Sequence, residues 1–259
     1  MAATARARRR SGRRRCWKPC GPPSAAAAAG AEPMRVSVLI ACWNAQAYIG
    51  EAIRSALDQD PAPAELIVVD DGSTDASADV AGAIGGVTLL RQANQGVGAA
   101  LNAAAAQASG DVLAFLDADD LWCPGKLAAQ TAALAAEPEL DAVFGHMAPF
   151  ASPDLPEQER AGLRIGTAAE PGFVKGTMLL RRAAFERLGS FNETRLFADF
   201  IAWYAQACIA GFHWRMLDHL VLLRRIHGAN MGRRERPRQR EDYLGIMKAL
   251  IDAKRGARS

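Results

Sequence analysis

Three aspartates, Asp117, Asp119 and Asp120, crowd into the run Phe115-Leu-Asp-Ala-Asp-Asp120. Carboxylates this close repel one another, so a positive partner is expected among them. Oxygen-only donors suit a hard divalent cation, and magnesium or manganese keeps coordination positions open for substrate phosphates. In isolation, a solvated acidic turn is the alternative. A second acidic turn stands upstream in Glu65-Leu-Ile-Val-Val-Asp-Asp-Gly-Ser-Thr-Asp75, where Asp70 and Asp71 can accept hydrogen bonds from a base N–H or from ribose hydroxyls. Ser73, Thr74 and Asp75 also suit a helix N-cap and first turn, so this segment can cap and bind at once. Asn94-Gln-Gly-Val-Gly98 leads into a helix as a phosphate loop does. It has neither a P-loop Lys nor G-x-G-x-x-G spacing, and a structural turn is the simpler reading. With no P-loop anywhere, nucleoside-triphosphate hydrolysis is set aside.

For these side chains to meet, their segments must reach one edge of the fold. Val112–Leu116 is a buried apolar strand ending at Asp117. Val36–Ala41 and Leu66–Asp70 have the same character, and Val87–Leu90 is a shorter strand. The apolar spacing between them predicts helices over Ala47–Leu57, Ser73–Ala83 and Val97–Ala108. A helix over Pro124–Ala136 follows the fourth strand, with Pro near its N-terminus. Strands alternating with helices imply an α/β fold, with a mainly parallel sheet and helices on both faces. Ligands bind such sheets beyond the carboxyl ends of the strands. Asn44, Asp70, Asp71 and Asp117 to Asp120 all fall there, and that convergence is the first functional inference. After Asp141 the regularity weakens. Ala148–Gly172 holds Pro149, Pro153, Pro156 and Pro171 and predicts a long loop. Phe173–Leu180 reads as a strand, Arg181–Leu188 and Asp199–Ala210 as helices, and Trp214–Leu217 and Leu220–Ile226 as two closing strands.

Composition narrows the classes. The chain has 259 residues, half of them hydrophobic, enough for one sizeable core or two small ones. Residues 1–33 and 224–259 together carry +14 against an overall +3, which leaves −11 on the body between them. An acidic body with basic ends is a poor profile for a specific nucleic-acid binder. Five cysteines without paired spacing favour a reducing, cytoplasmic compartment, and no apolar stretch approaches the roughly 20 residues of a membrane span. Residues 1–33 are expected to be disordered. They are either an artefact of start-site choice, since Met34 precedes the first strand, or an Arg-rich contact with nucleic acid or lipid.

Ser37-Val-Leu-Ile-Ala-Cys-Trp-Asn44, Val68-Val-Asp-Asp-Gly-Ser-Thr-Asp75, Asn94-Gln-Gly96 and Phe115-Leu-Asp-Ala-Asp-Asp-Leu-Trp-Cys-Pro124 occur in that order. Together they resemble the family 2 glycosyltransferases, a large GT-A group that uses nucleotide-diphospho-sugars. Gly176–Asn192 and Arg225-Ile-His-Gly-Ala-Asn-Met231 resemble the family too, so the likeness covers residues 35–230. It implies a GT-A-like, Rossmann-like domain over 34–230 with an irregular acceptor-binding second half, flanked by tails 1–33 and 231–259. It implies inverting, non-processive hexosyl transfer from a UDP-, GDP- or dTDP-sugar to a glycan or lipid-linked acceptor, in cell-envelope or polysaccharide biosynthesis. Ala41, Asn44, Asp70, Asp71, Asn94, Gly96, Asp117 and Asp119 would line the donor, with Asp71 on the base and Asp119 on the ribose side. Asp120 would ligate Mn2+ or Mg2+ on the diphosphate. His227 would stand beside it as a neutral imidazole ligand or a charged donor. The cation would neutralise the leaving group as the glycosidic bond breaks.

An inverting transfer needs a base for the acceptor hydroxyl. The family often supplies it from a Glu-Asp pair opening a late helix. Here the stretch reads Phe197-Ala-Asp-Phe-Ile-Ala-Trp203, so Ala198 replaces the Glu and Asp199 is the candidate base. Leu101 likewise stands where many relatives carry Arg. Gln-x-x-Arg-Trp is missing, which argues against a processive synthase. Trp203 and Trp214 are core residues or an acceptor wall. The arginines of 224–240 are a solvated tail or a peripheral contact with anionic lipid. A nucleotidyltransferase would need a Gly-rich basic loop where Ala41-Cys-Trp-Asn-Ala-Gln-Ala-Tyr48 stands. The other rival is a catalytically degenerate GT-A domain serving as a binding or scaffold subunit.

Overall fold

The computed structural model describes residues 33–163, 166, 168–193, 199–228 and 230. Both expected tails, but for Pro33, and the Phe197-Ala198 step lie outside the described residues. In chain order the elements begin with β1 (Val36–Cys42), α1 (Ile49–Leu57), β2 (Glu65–Asp71), α2 (Ser77–Gly82), β3 (Val87–Gln92), α3 (Val97–Gln107) and β4 (Val112–Asp117). There follow β5 (Leu121–Trp122), α4 (Lys126–Ala136), β6 (Ala142–Ala151), α5 (Glu157–Gly162), β7 (Glu170–Pro171), a 3-10 turn (Lys175–Thr177), β8 (Leu179–Arg181), α6 (Arg182–Leu188), α7 (Asp199–Ile209) and β9 (Trp214–Ile226).

These strands form one sheet in the order β3-β2-β1-β4-β8-β6-β9-β5, with β7 beside β6. The first four are mutually parallel, and β8 joins β4 and β6 antiparallel, so β6 and β9 run the same way as β4. Parallel register sets Cys42 beside Asp70 and Ala41 beside Asp117, which aligns the carboxyl ends of β1, β2 and β4. Both faces are covered, as buried apolar strands require. Val38, Ile40, Val68 and Leu116 pack with Ile49, Ile53 and Leu127 on one side. Leu39, Ile67, Leu113 and Phe115 pack with Leu101, Phe191 and Trp203 on the other. Ile49 and Ile53 are fully buried, and each such side chain contributes about 1.5–3 kcal/mol.

Several elements differ from the sequence expectation for identifiable reasons. The second helix starts at Ser77, not Ser73, because residues 73–76 bond to the β1–α1 loop instead of winding. Ser73 Oγ accepts from Asn44 N–H (3.0 Å), and Asn44 Oδ1 accepts from Thr74 N–H (2.8 Å). The expected loop over Ala148–Gly172 begins as strand, because β6 continues to Ala151 against β9, and it holds α5 and β7 as well. Of the expected Phe173–Leu180 strand, only Leu179 and Leu180 are strand; Lys175–Thr177 forms the 3-10 turn. The two closing strands are one, Trp214–Ile226, with register shifts around His146 taking up the irregularity. Among the described residues no helix is long and apolar enough to cross a membrane. Cys42, Cys123 and Cys208 are free thiols.

Candidate active site

Asp117 is the last residue of β4, and the turn after it delivers Asp119 and Asp120. What holds this turn comes from β9. Arg225 donates from its backbone N–H to Asp120 Oδ1 (2.8 Å) and from Nε to the Asp119 carbonyl (2.9 Å). Its guanidinium is buried and pairs with Glu51 on α1. It also stacks between Tyr48 and Phe150, at 5.1 and 4.8 Å from their ring centres. His227 Nε2 lies 2.8 Å from Asp119 Oδ2, and its ring packs 4.5 Å from Tyr48. Asn230 Nδ2 donates to the same Asp119 oxygen (3.2 Å), and its Oδ1 accepts from His227 N–H (2.6 Å). The Arg-x-His-x-x-Asn spacing therefore clamps the acidic turn: each of its three polar residues touches Asp119 or Asp120.

Among the described residues, the cluster is short of positive charge. Burial, reinforced by the Asp117 and Asp119 carboxylates, holds Asp120 well above the usual carboxylate range. Asp117 is also raised, by burial first, with Asp119 and Asp199 adding to the effect and Lys175 opposing it. A divalent cation would relieve that repulsion, and Asp120, whose Oδ1 takes a single backbone N–H, fits as its carboxylate ligand. His227 is adjacent, but its Nε2 faces Asp119 and would have to exchange that contact for the ion. Among the described residues no three His, Cys, Asp or Glu side chains form a preformed cage. Magnesium held by one or two carboxylates and substrate phosphates needs none.

Asp199 opens α7 and is buried, with Oδ2 2.7 Å from Lys175 Nζ. Lys175, itself buried, was not singled out by the sequence, and the structure places it against Asp199. Its only signal was a lysine inside the otherwise apolar Phe173–Leu180 run. The turn carrying it is braced from behind. Trp122 Nε1 donates to the Gly176 carbonyl (3.0 Å), and Gln130 Nε2 donates to the Thr177 carbonyl (2.7 Å).

On the donor side, Asp71 is engaged within the protein. It accepts from Gln95 N–H (2.9 Å), Gly96 N–H (2.8 Å) and Gln92 Nε2 (2.8 Å), and so fixes the β3–α3 loop. A carboxylate has about four acceptor positions, which leaves one for a base N–H. Gly96 takes φ 92°, a conformation that favours glycine, and Asn94 is exposed beside it. Asp70, on the opposite face of β2, has a buried Oδ1 with no hydrogen-bond partner. Asn44, at φ 49°, ties the β1–α1 loop to Thr74, while Ala41 lies within β1 beside Asp117. The structure thus gathers Asp117, Asp119, Asp120, Asp199 and His227 around one end of the sheet, with Ala41, Asn44, Asp70 and Asp71 on the neighbouring strand ends. Gly96 is tied to it through Asp71, and Asn94 lies exposed in the same loop. Trp203 is core, and Trp214 is only partly buried in an aromatic group with Phe144, Phe173 and Tyr204.

Residues 37–189 match the family described as glycosyl transferase family 2. The succinoglycan biosynthesis protein ExoU of Rhizobium meliloti (strain 1021) is 33% identical over 213 residues, covering 72% of this chain and 60% of that protein. An uncharacterized glycosyltransferase, alr2836, of Nostoc sp. is 46% identical over 105 residues, 36% of this chain and 31% of the other. The chain thus matches less than two thirds of the length of either relative. Among solved structures, S. aureus TarS 1-349 in complex with UDP-GlcNAc superimposes with a TM-score of 0.65 at 22% identity, covering 85% of this chain and 66% of that one. That likeness shows a shared fold.

Proposed function

The chain belongs to glycosyltransferase family 2, and we propose that it moves one hexose from a nucleotide-diphospho-sugar to an acceptor hydroxyl, with inversion and without processive extension. The observation that carries this reading is the meeting of the Asp117–Asp120 turn with Asp199 at the carboxyl ends of the parallel strands, where such sheets bind ligands. Asp71 and the loop it holds would receive the base, and Asp119, steadied by His227 and Asn230, would face the ribose. Asp120 would hold Mn2+ or Mg2+, with His227 beside it. Bound there, the cation supplies charge neutralisation for the departing diphosphate. Asp199 would take the proton of the attacking hydroxyl.

UDP is the first nucleotide to test, because S. aureus TarS has been seen with UDP and UDP-GlcNAc on the same fold. An acceptor in polysaccharide or cell-envelope assembly, glycan or lipid-linked, is in keeping with the likeness to ExoU. A cytoplasmic enzyme with peripheral membrane contact through its basic tail accords with the sequence; the tail lies outside the described residues.

The test is calorimetric binding of UDP, GDP and dTDP, with and without manganese, to the wild-type chain and to Asp120→Ala. Binding of one nucleotide that needs manganese and is lost in Asp120→Ala is the expected result. No binding by well-folded protein would sink the reading and favour a degenerate scaffold.

A further inference from the structure

Lys175 and Asp199 form an ion pair that neither the donor nor the metal arrangement requires. Their side chains retain 9% and 6% of their exposure, and Nζ stands 2.7 Å from Oδ2. Burying two charges costs several kcal/mol per ion, and apolar replacements for such pairs are often neutral or stabilising. Stability alone therefore gives little reason to keep the pair. Its surroundings suggest another. Asp117 lies close enough for Lys175 and Asp199 to act on it in opposite senses, with Asp119 and Arg224 also acting on Asp117.

We propose that Lys175 is a positioning residue for Asp199. From its braced turn, its ammonium fixes the orientation of the carboxylate that is to receive the proton of the acceptor hydroxyl. The brace matters because a lysine side chain is flexible and its charge is useful only where the backbone is fixed. Trp122 and Gln130 hold two carbonyls of the 3-10 turn, and Thr177 Oγ1 closes it onto the Gly172 carbonyl (2.6 Å). Phe191 lies 5.6 Å from Nζ and walls one side of the pair. In the reaction, the acceptor oxygen bonds to the anomeric carbon and its proton passes to Asp199. The bond from that carbon to the diphosphate oxygen breaks, and its electron pair leaves with the diphosphate. Lys175 keeps all of its protons. This inference rests on Asp199 being the base.

The experiment reads the 13Cγ resonance of Asp199 at neutral pH in the full chain labelled with [13C]aspartate, assigned by its loss in Asp199→Asn. In Lys175→Met the line should move and broaden, because the carboxylate loses the partner that fixes it. Lys175→Gln, which keeps a donor but not the charge, should do the same in part, and Lys175→Arg should bring the line back toward its wild-type position. A line unmoved and equally narrow in both uncharged variants would overturn the inference. So would loss of the native circular dichroism in both, since the pair would then be a stability element. The parent reading fails separately, if Asp199→Asn turns over a panel of UDP-, GDP- and dTDP-hexoses as fast as wild type.

Discussion

Lys126 offers a test of how the scaffold behind the site is built. Its side chain is fully buried, on the first residue of α4. Its partners are the Gln130 side-chain amide oxygen Oε1 and the face of Trp122, 4.8 Å from Nζ, and neither carries a negative charge. Burial pushes the amine down to about 7 from 10.5. Between those values the unfolded chain binds a proton that the folded chain does not. Stability from this group therefore rises with pH across that window and is at its lowest below pH 7. Each full pH unit is worth at most about 1.36 kcal/mol, so the gain from pH 7 to pH 9 is about 2–3 kcal/mol.

Lys126→Met removes the titrating group and keeps the buried stem. The assay is urea unfolding at pH 6, 7, 8 and 9 for both chains, read as the difference between them. The difference isolates Lys126, because Cys42, pushed up to about 12, and Tyr48, also raised to about 12, titrate alike in both chains and cancel. Those groups act in the opposite sense: their raised values make stability fall as pH climbs past the unfolded thiol and phenol. Cys123, raised to about 11, feels Lys126 directly and limits the comparison to pH 9 and below. The methionine variant should lead wild type by the widest margin at pH 6, and its lead should shrink by about 2–3 kcal/mol by pH 9. A difference that stays constant with pH would refute the neutral-amine reasoning.

Two further substitutions probe the donor loop and the base-bearing segment. Asp71→Ala removes the acceptor shared by Gln92, Gln95 and Gly96. It should cost about 2–4 kcal/mol by urea unfolding and abolish hydrogen-exchange protection of the Gln95 and Gly96 amides; retained protection would refute that role. Gly98→Ala would place a Cβ 2.7 Å from the Asn192 carbonyl oxygen, a backbone atom that cannot turn aside. The expected cost is about 1–3 kcal/mol, or a melting point lower by about 2–4 °C per kcal/mol, and an unchanged Tm would show that the Asn192 backbone yields freely.

The parallel half of the fold was legible because β1, β2 and β4 are almost wholly buried and carry uninterrupted apolar runs between turn residues. The strand ends, and so the gathering of Asp70, Asp71 and Asp117 to Asp120, followed from that pattern. β6 was not legible. It is buried only over Ala142–Gly145, and its second half carries His146 and Pro149 on a partly exposed surface, where no period stands out. β9 looked like two strands because Asp218 and His219 interrupt its apolar residues, although the backbone runs on. The same limit applies to the site. A motif names Asp71 and Asp199, but what holds them lies far off in sequence: the Gln95 and Gly96 amides for one, and a lysine 24 positions upstream for the other. The Lys175 pairing is set by the bonds that brace its turn from α4 and β5, and the Asp71 pairing by the return of the β3–α3 loop, and neither local propensity nor spacing encodes them.

The distribution of cations around the acidic end explains why charge remains to be balanced there. Arg225 bonds the Asp119–Asp120 turn directly, yet its side-chain charge goes to Glu51, and what it gives Asp120 is a backbone N–H. The Lys175 ammonium is committed to Asp199. Arg224, whose charge favours the ionised forms of both Asp117 and Asp120, is exposed and so acts through solvent, where its effect is weak. Fixed cations that saturated Asp120 would leave a diphosphate no reason to enter with an ion, since the carboxylates would already be neutralised. By holding Arg225 and Lys175 to other carboxylates, the described residues leave Asp117 and Asp120 under-compensated in a buried setting. A divalent cation arriving with a nucleotide diphosphate would relieve that repulsion and the charge of the ligand together.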